Sequence, residues 1–96
     1  MNKKLLWWIF AVTRGGVVRA EIIKRLRERP STTSQLAREM GLTYQDIRYH
    51  LRILKEHNLV ESSNTSIAVY FVTEEMERNW GEFTRILKAI KGRDAK

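Results

Sequence analysis

The residues best suited to chemistry lie between Thr43 and His57, where Gln45, Arg48, Tyr49 and Arg52 recur at helical spacing. Projected at about 100° per residue, Ile47, His50, Leu51 and Leu54 fall on one face, and Gln45, Arg48, Tyr49 and Arg52 fall on the other. A helix divided in this way buries one side and offers the other. The offered side carries groups that read DNA: guanidinium groups that bond guanine or phosphate bidentately, an amide suited to adenine, and a phenol. Tyr44 and Lys55 stand at its margin, where they can reach a sugar-phosphate backbone, and Thr43 opens the helix. Any solvated helix carries Arg and Gln, so this face gains meaning only from its setting.

Other chemistries lack their residues. The chain has no cysteine, which removes thiolate nucleophiles, disulfides and thiolate metal sites. Its two histidines, His50 and His57, form no recognised ligand set, and His50 beside Leu51 reads as structural. No nucleophile stands with a base, and no phosphate-cradling glycine loop is visible. Gly15-Gly16 reads as a break between helices, and Glu74-Glu75 as acids favoured by the dipole at a helix start. No catalytic residue, cofactor or metal is therefore expected.

A chain of 96 residues is expected to form a single domain spanning 1–96, because two cores would each be too small. Its 43% apolar and 30% charged composition fits a globular domain that folds. The formal charge of +7 points to polyanions, nucleic acid first and anionic lipid second. The apolar run from Leu5 to Val12, behind Lys3 and Lys4, is too short to span a bilayer, which takes about 20 residues. A cytoplasmic protein without membrane association is the expectation.

The punctuation of the chain sets out the elements that position the reading face. A helix over 3–13 is expected to end at Gly15-Gly16 through glycine's tolerance of a left-handed cap, and Pro30 closes a second helix over 16–29. In that second helix Val18, Ile22, Ile23 and Leu26 form the core stripe, with Arg19, Lys24, Arg25 and Arg29 assigned away from it. Hydroxyl caps and Gly41 divide 33–57 into two short helices with a tight turn, a helix-turn-helix whose second member reads. Residues 59–72 form a hairpin with the polar turn Ser62 to Ser66, placed where a wing would be. A final amphipathic helix over 74–91 carries Met76, Trp80, Phe83, Leu87 and Ile90, followed by a frayed tail from Gly92. The predicted class is mainly α with a small β-hairpin (α+β): a winged helix-turn-helix with added N- and C-terminal helices.

At this point the sequence also resembles a family. Leu36-Ala37-Arg38-Glu39-Met40-Gly41-Leu42-Thr43, continued by Ile47-Arg48-Tyr49-His50-Leu51-Arg52-Ile53-Leu54 and Leu59-Val60, is similar to the winged-helix domain of ArsR-type transcriptional regulators. Leu5-Leu6-Trp7-Trp8 with Thr13-Arg14-Gly15-Gly16 resembles an archaeal branch of them. The resemblance implies a dimer held by the first and last helices, the helix after the turn in the major groove, and the wing beside the minor groove. Two departures stand out. Metal-sensing members use cysteine, which is absent here, and the wing tip lacks both the basic residue and the glycine often found there.

The residues argue for a homodimer independently, because Trp7, Trp8, Phe10, Trp80 and Phe83 are more apolar surface than two terminal helices of a small monomer readily hide. Leu5 and Leu87 extend the same expected interface; the alternative is that these aromatics complete the monomer core. The expected partner is double-stranded DNA, bound sequence-specifically through Thr43, Tyr44, Gln45, Arg48, Tyr49, Arg52 and Lys55. The competing reading is a winged helix used for protein interaction or RNA binding, in which apolar anchors would more often replace the two arginines.

Overall fold

The computed structural model describes residues 2–94. The first helix, α1 (Lys3–Trp7), is capped by the Asn2 side chain and runs into one π-helical turn over Trp8–Val12. Its ladder closes with the Thr13 amide donating to the Trp8 carbonyl oxygen, five residues back, at 3.2 Å. Helix α2 (Gly16–Glu28) follows, with Gly15 as its N-cap. Neither glycine has a positive φ, so the expected left-handed cap is not the reason for the pair. Close approach is: a Cβ on Gly16 would stand 2.3 Å from the Phe10 carbonyl oxygen, and one on Gly15 would stand 2.4 Å from His50 Cε1.

Pro30 ends α2 as expected, but the next two residues form a strand, β1 (Ser31–Thr32). Thr32 then caps α3 (Thr33–Met40) in a reciprocal box, taking the Gln35 amide at 3.1 Å and giving its own amide to Gln35 Oε1 at 2.8 Å. Gly41, at φ 67°, supplies the left-handed C-cap that makes the turn tight. The Thr43 hydroxyl accepts from the Asp46 amide at 3.1 Å and starts α4 (Tyr44–Glu56). Asn58, at φ 61°, turns the chain out of α4.

Strands β2 (Val60–Ser62) and β3 (Val69–Val72) form the expected hairpin, with Val60 opposite Val72 and Ser62 opposite Tyr70. The sheet has three strands in the order β1-β3-β2, all antiparallel, with Ser31 opposite Tyr70. The single C-terminal helix expected over 74–91 is two: α5 (Glu74–Arg78) and α6 (Trp80–Asp94). Asn79 separates them, its side-chain nitrogen donating to the Glu75 carbonyl oxygen at 2.8 Å in competition with the helical ladder. Helix α6 continues through the start of the expected tail; Ala95 and Lys96 lie outside the described residues.

The core gathers Leu6, Ile9 and Phe10 from the N-terminal segment, Ile22, Ile23 and Leu26 from α2, and Leu36 from α3. Ile47, Leu51 and Leu54 from α4 join Met76, Phe83 and Ile86 from the C-terminal helices. Phe10 and Phe83, expected on a dimer face, sit inside this core at 1% and 0% exposure, ring centroids 4.9 Å apart and edge-on. Two short helices joined by a tight turn, followed by a hairpin closed by a third strand, make a winged helix-turn-helix with helices added at both ends.

Candidate nucleic-acid interface

Helix α4 is held by the face the sequence assigned to the core. Ile47, Leu51 and Leu54 are fully buried and His50 is 9% exposed. A helix buried along one stripe turns its opposite face outward, and that face carries Tyr44, Gln45, Arg48, Tyr49, Arg52 and Lys55, all exposed. Tyr44 and Tyr49 remain about half exposed, at 47% and 51%, although both are large enough to be covered.

The three cations on this face differ in their surroundings. No hydrogen bond or ion pair to a described residue holds Arg48. Arg52 stands 5.7 Å from the Tyr49 ring centroid, with Nε 3.9 Å from Glu56 Oε1; both partners are exposed, so the pair contributes little. Lys55 is engaged by the wing: Nζ donates to Ser62 Oγ at 2.9 Å and lies 3.4 Å from Glu61 Oε1. The Ser62 amide, then Lys55, hold the Glu61 carboxyl below its ordinary value. Lys55 therefore braces α4 against β2 and shares its charge with a carboxylate.

Arg48 opens into a cleft of about 480 Å³ between α4, the start of α3 and the wing. Its other walls are hydroxyl-rich, with Thr32, Thr33 and Ser34 at the head of α3, Tyr44 on α4, and Ser66 and Tyr70 on the wing side. Ile67, read from the sequence as the start of the hairpin's second strand, instead precedes β3 in the wing turn and is 71% exposed.

Behind this face the structure brings in a residue that the sequence reading placed outside the core. Arg19 is 2% exposed, and one of its terminal nitrogens lies 3.0 Å from His50 Nδ1. Its signal was present in the sequence, because 19, 22, 23 and 26 follow the i, i+3, i+4, i+7 pattern of the stripe itself. Charge type alone had assigned it to solvent.

The expected dimer residues divide. Leu5 and Leu87 are half-buried against the core, and Trp7 is partly buried with its indole nitrogen donating to Glu82 Oε2 at 2.7 Å. Trp80 lies beneath the Arg27 guanidinium, 3.9 Å from its ring centroid. Trp8, at 46% exposure, is the one named aromatic left on the surface, and Val12 and Val17 are exposed at 70% and 64%. Val17 also lines a groove of about 210 Å³ with Ala20, Leu87 and Ile90. Among the described residues, no three His, Cys, Asp or Glu side chains come together to hold a metal. No described helix is long and apolar enough to cross a membrane.

Residues 18–63 match the helix-turn-helix domain family. Among curated proteins no relative matches the chain. Among solved structures, the Zα domain of PKZ from Carassius auratus, in complex with Z-DNA, is similar at 27% identity and a TM-score of 0.61. That match covers 64% of this chain and 100% of the Zα chain. The transcriptional regulator BldR from Sulfolobus solfataricus is similar at a TM-score of 0.73 and 17% identity, over 95% of this chain and 67% of BldR. ZitR from Lactococcus lactis, in complex with DNA, is similar at a TM-score of 0.61 and 18% identity, over 80% of this chain. This chain spans 56% of the ZitR chain. At 17% and 18% identity, the likeness to BldR and ZitR is one of fold.

Proposed function

We propose that this chain is a homodimeric transcriptional regulator of the ArsR type, from its archaeal branch, that binds double-stranded DNA sequence-specifically with α4 in the major groove. One observation carries this reading. Arg48, unpartnered among the described residues, stands beside Gln45, Tyr49 and Arg52 on the outer face of a helix whose inner face is buried in the core. The net charge of +7 supplies the long-range attraction that such an interface needs, and of the similarly folded proteins one was solved in complex with DNA and another in complex with Z-DNA. Thr43, Tyr44 and Gln45 lie at the start of α4, the end that approaches base edges, with Arg48 one turn on. Arg52 and Lys55 lie further along and serve phosphates, Lys55 less so because Glu61 accompanies it. The wing positions the protein through hydroxyl and amide groups.

Dimerisation is assigned to the terminal helices, through Trp8 with the partly covered Leu5, Trp7, Trp80 and Leu87. Phe10 and Phe83 support that surface from within. No metal, cofactor or membrane takes part in this reading, and the protein works in the cytoplasm.

The test is selection of genomic fragments by the purified protein, followed by titration of a selected and a random duplex over a series of salt concentrations. The selected duplex should bind at least about 10³-fold more tightly, and log K should fall linearly with log salt by about 0.9 per phosphate contacted. A ratio near one would leave only nonspecific attraction. Binding of single-stranded RNA or a protein in place of duplex DNA would favour the interaction-module reading.

A further inference from the structure

Arg19 is a buried cation with no carboxylate partner among the described residues. Its Nε donates to the Ile9 carbonyl oxygen at 3.0 Å, one terminal nitrogen lies 3.0 Å from His50 Nδ1, and the other donates to the Thr13 hydroxyl. That hydroxyl lies 3.0 Å from the Trp8 carbonyl oxygen and 3.3 Å from that of Ile9, so its single proton serves the end of the π-helical turn while its lone pairs face Arg19. A guanidinium only donates, so His50 Nδ1 is the acceptor and the ring carries its proton on Nε2.

Gly15 completes the socket. A Cβ there would stand 2.4 Å from His50 Cε1 and 2.6 Å from an Arg19 terminal nitrogen. The run Thr13-Arg14-Gly15-Gly16 is thus more than a break between helices: it seats the guanidinium between the N-terminal segment, the first turns of α2 and the middle of α4. On the far side of His50 its ring meets Tyr49 edge-on, centroids 5.2 Å apart, and Arg52 stands over Tyr49.

We propose that Arg19 is a positioning residue for DNA reading, which through His50 Nδ1 fixes the rotation of α4 against the N-terminal segment and so aims Arg48, Tyr49 and Arg52. This inference rests on α4 being the helix that meets DNA. An apolar stripe alone lets a helix roll by part of a residue spacing, because Ile, Leu and Val contacts carry no direction; a hydrogen bond from a buried fork of donors does. The arrangement also requires His50 to be neutral, since an imidazolium would turn N–H against N–H. The charged and titratable groups around it are Arg19 from α2, and Asp46 and Tyr49 from α4 itself. Burial, then Arg19, lower the His50 pKa, with Asp46 opposing.

Two readouts on the full chain test this. In the DNA-free protein, nitrogen-detected NMR should show the His50 ring as the neutral Nε2–H tautomer at neutral pH, with a titration midpoint below about 6.5. Arg19→Met should abolish the tautomer preference and raise the midpoint. On a selected duplex, folded Arg19→Met and His50→Leu should each bind roughly tenfold more weakly, and the double variant should lose no more than the weaker single, as members of one hydrogen-bond network do. His50→Asn, which keeps an acceptor near the place of Nδ1, should recover most of the affinity, whereas Arg19→Lys, a single point donor, should not. Unchanged affinity in folded Arg19→Met, with affinity lost in Arg48→Ala, would overturn this inference and leave the reading of α4 standing. Unchanged affinity in both would overturn both.

Discussion

Gly16→Ala offers a test of how the N-terminal segment is seated. The added Cβ would stand 2.3 Å from the Phe10 carbonyl oxygen and 2.6 Å from its carbonyl carbon. Both are backbone atoms, so no rotamer change relieves the contact. The π-helical turn must move away from α2, taking with it Phe10 and its edge-on packing against Phe83. Overpacking of this kind costs about 1–3 kcal/mol. Alanine returns at most about 1 kcal/mol through helix propensity and a less flexible unfolded chain. A net loss of about 1–2 kcal/mol corresponds to a fall in Tm of roughly 5–15 °C for a domain of this size. Gly81→Ala is the control: apart from its chain neighbours and its own helix backbone, no heavy atom lies within 4 Å of its added Cβ, and it sits in the first turn of α6. There only the helix gain remains, and Tm should rise by a few degrees. Calorimetric melts of both variants and the parent, at one protein concentration, decide the matter. A Gly16→Ala protein melting at or above the parent would refute the reasoning, since the predicted contact would then be costless.

Phe83→Ala should destabilise by about 3–5 kcal/mol at every protein concentration, because Phe83 is core, whereas Trp8→Lys should leave the fold intact and shift sedimentation equilibrium toward monomer. A parent chain that sediments as a monomer at micromolar concentration would contradict the dimer. His50 has a folded-state pKa below its unfolded value, so its contribution to stability is present above about pH 6.5 and is lost as pH falls through the lowered value. Urea titrations from pH 7 to pH 5 should show this loss in the parent and a flatter slope in His50→Leu. Chelation with EDTA should change neither the melt nor duplex binding, and restoration by one transition metal after a chelator-induced loss would contradict this.

The outer face of α4 was legible because four buried positions, Ile47, His50, Leu51 and Leu54, keep strict helical spacing between a hydroxyl cap and a turn residue. The turn at Gly41 was legible for the same kind of local reason. Strand β1 was not, since two residues carry no period and Thr32 also serves as a helix cap. The break at Asn79 was hidden inside a continuous apolar stripe, because the competing bond comes from a side chain that helix patterns tolerate. Arg19 was misplaced because a buried guanidinium is decided by partners that periodicity does not see: Thr13 and Ile9 from the preceding segment, and His50 from 31 residues further on. Phe10 and Phe83 were assigned to a dimer for a related reason. Composition shows how much aromatic surface there is, but not that these two rings bury one another.

The central claim concerns the outward face of α4, and the Arg48→Ala, Arg52→Ala double variant tests it most directly. Neither arginine belongs to the core, so the melt should change little. In a titration against selected and random duplexes, loss of Arg48 should cost about 1–3 kcal/mol of discrimination, and loss of Arg52 should weaken both duplexes and reduce the salt slope by about one unit. A folded double variant that binds the selected duplex as tightly as the parent would remove α4 from the DNA interface.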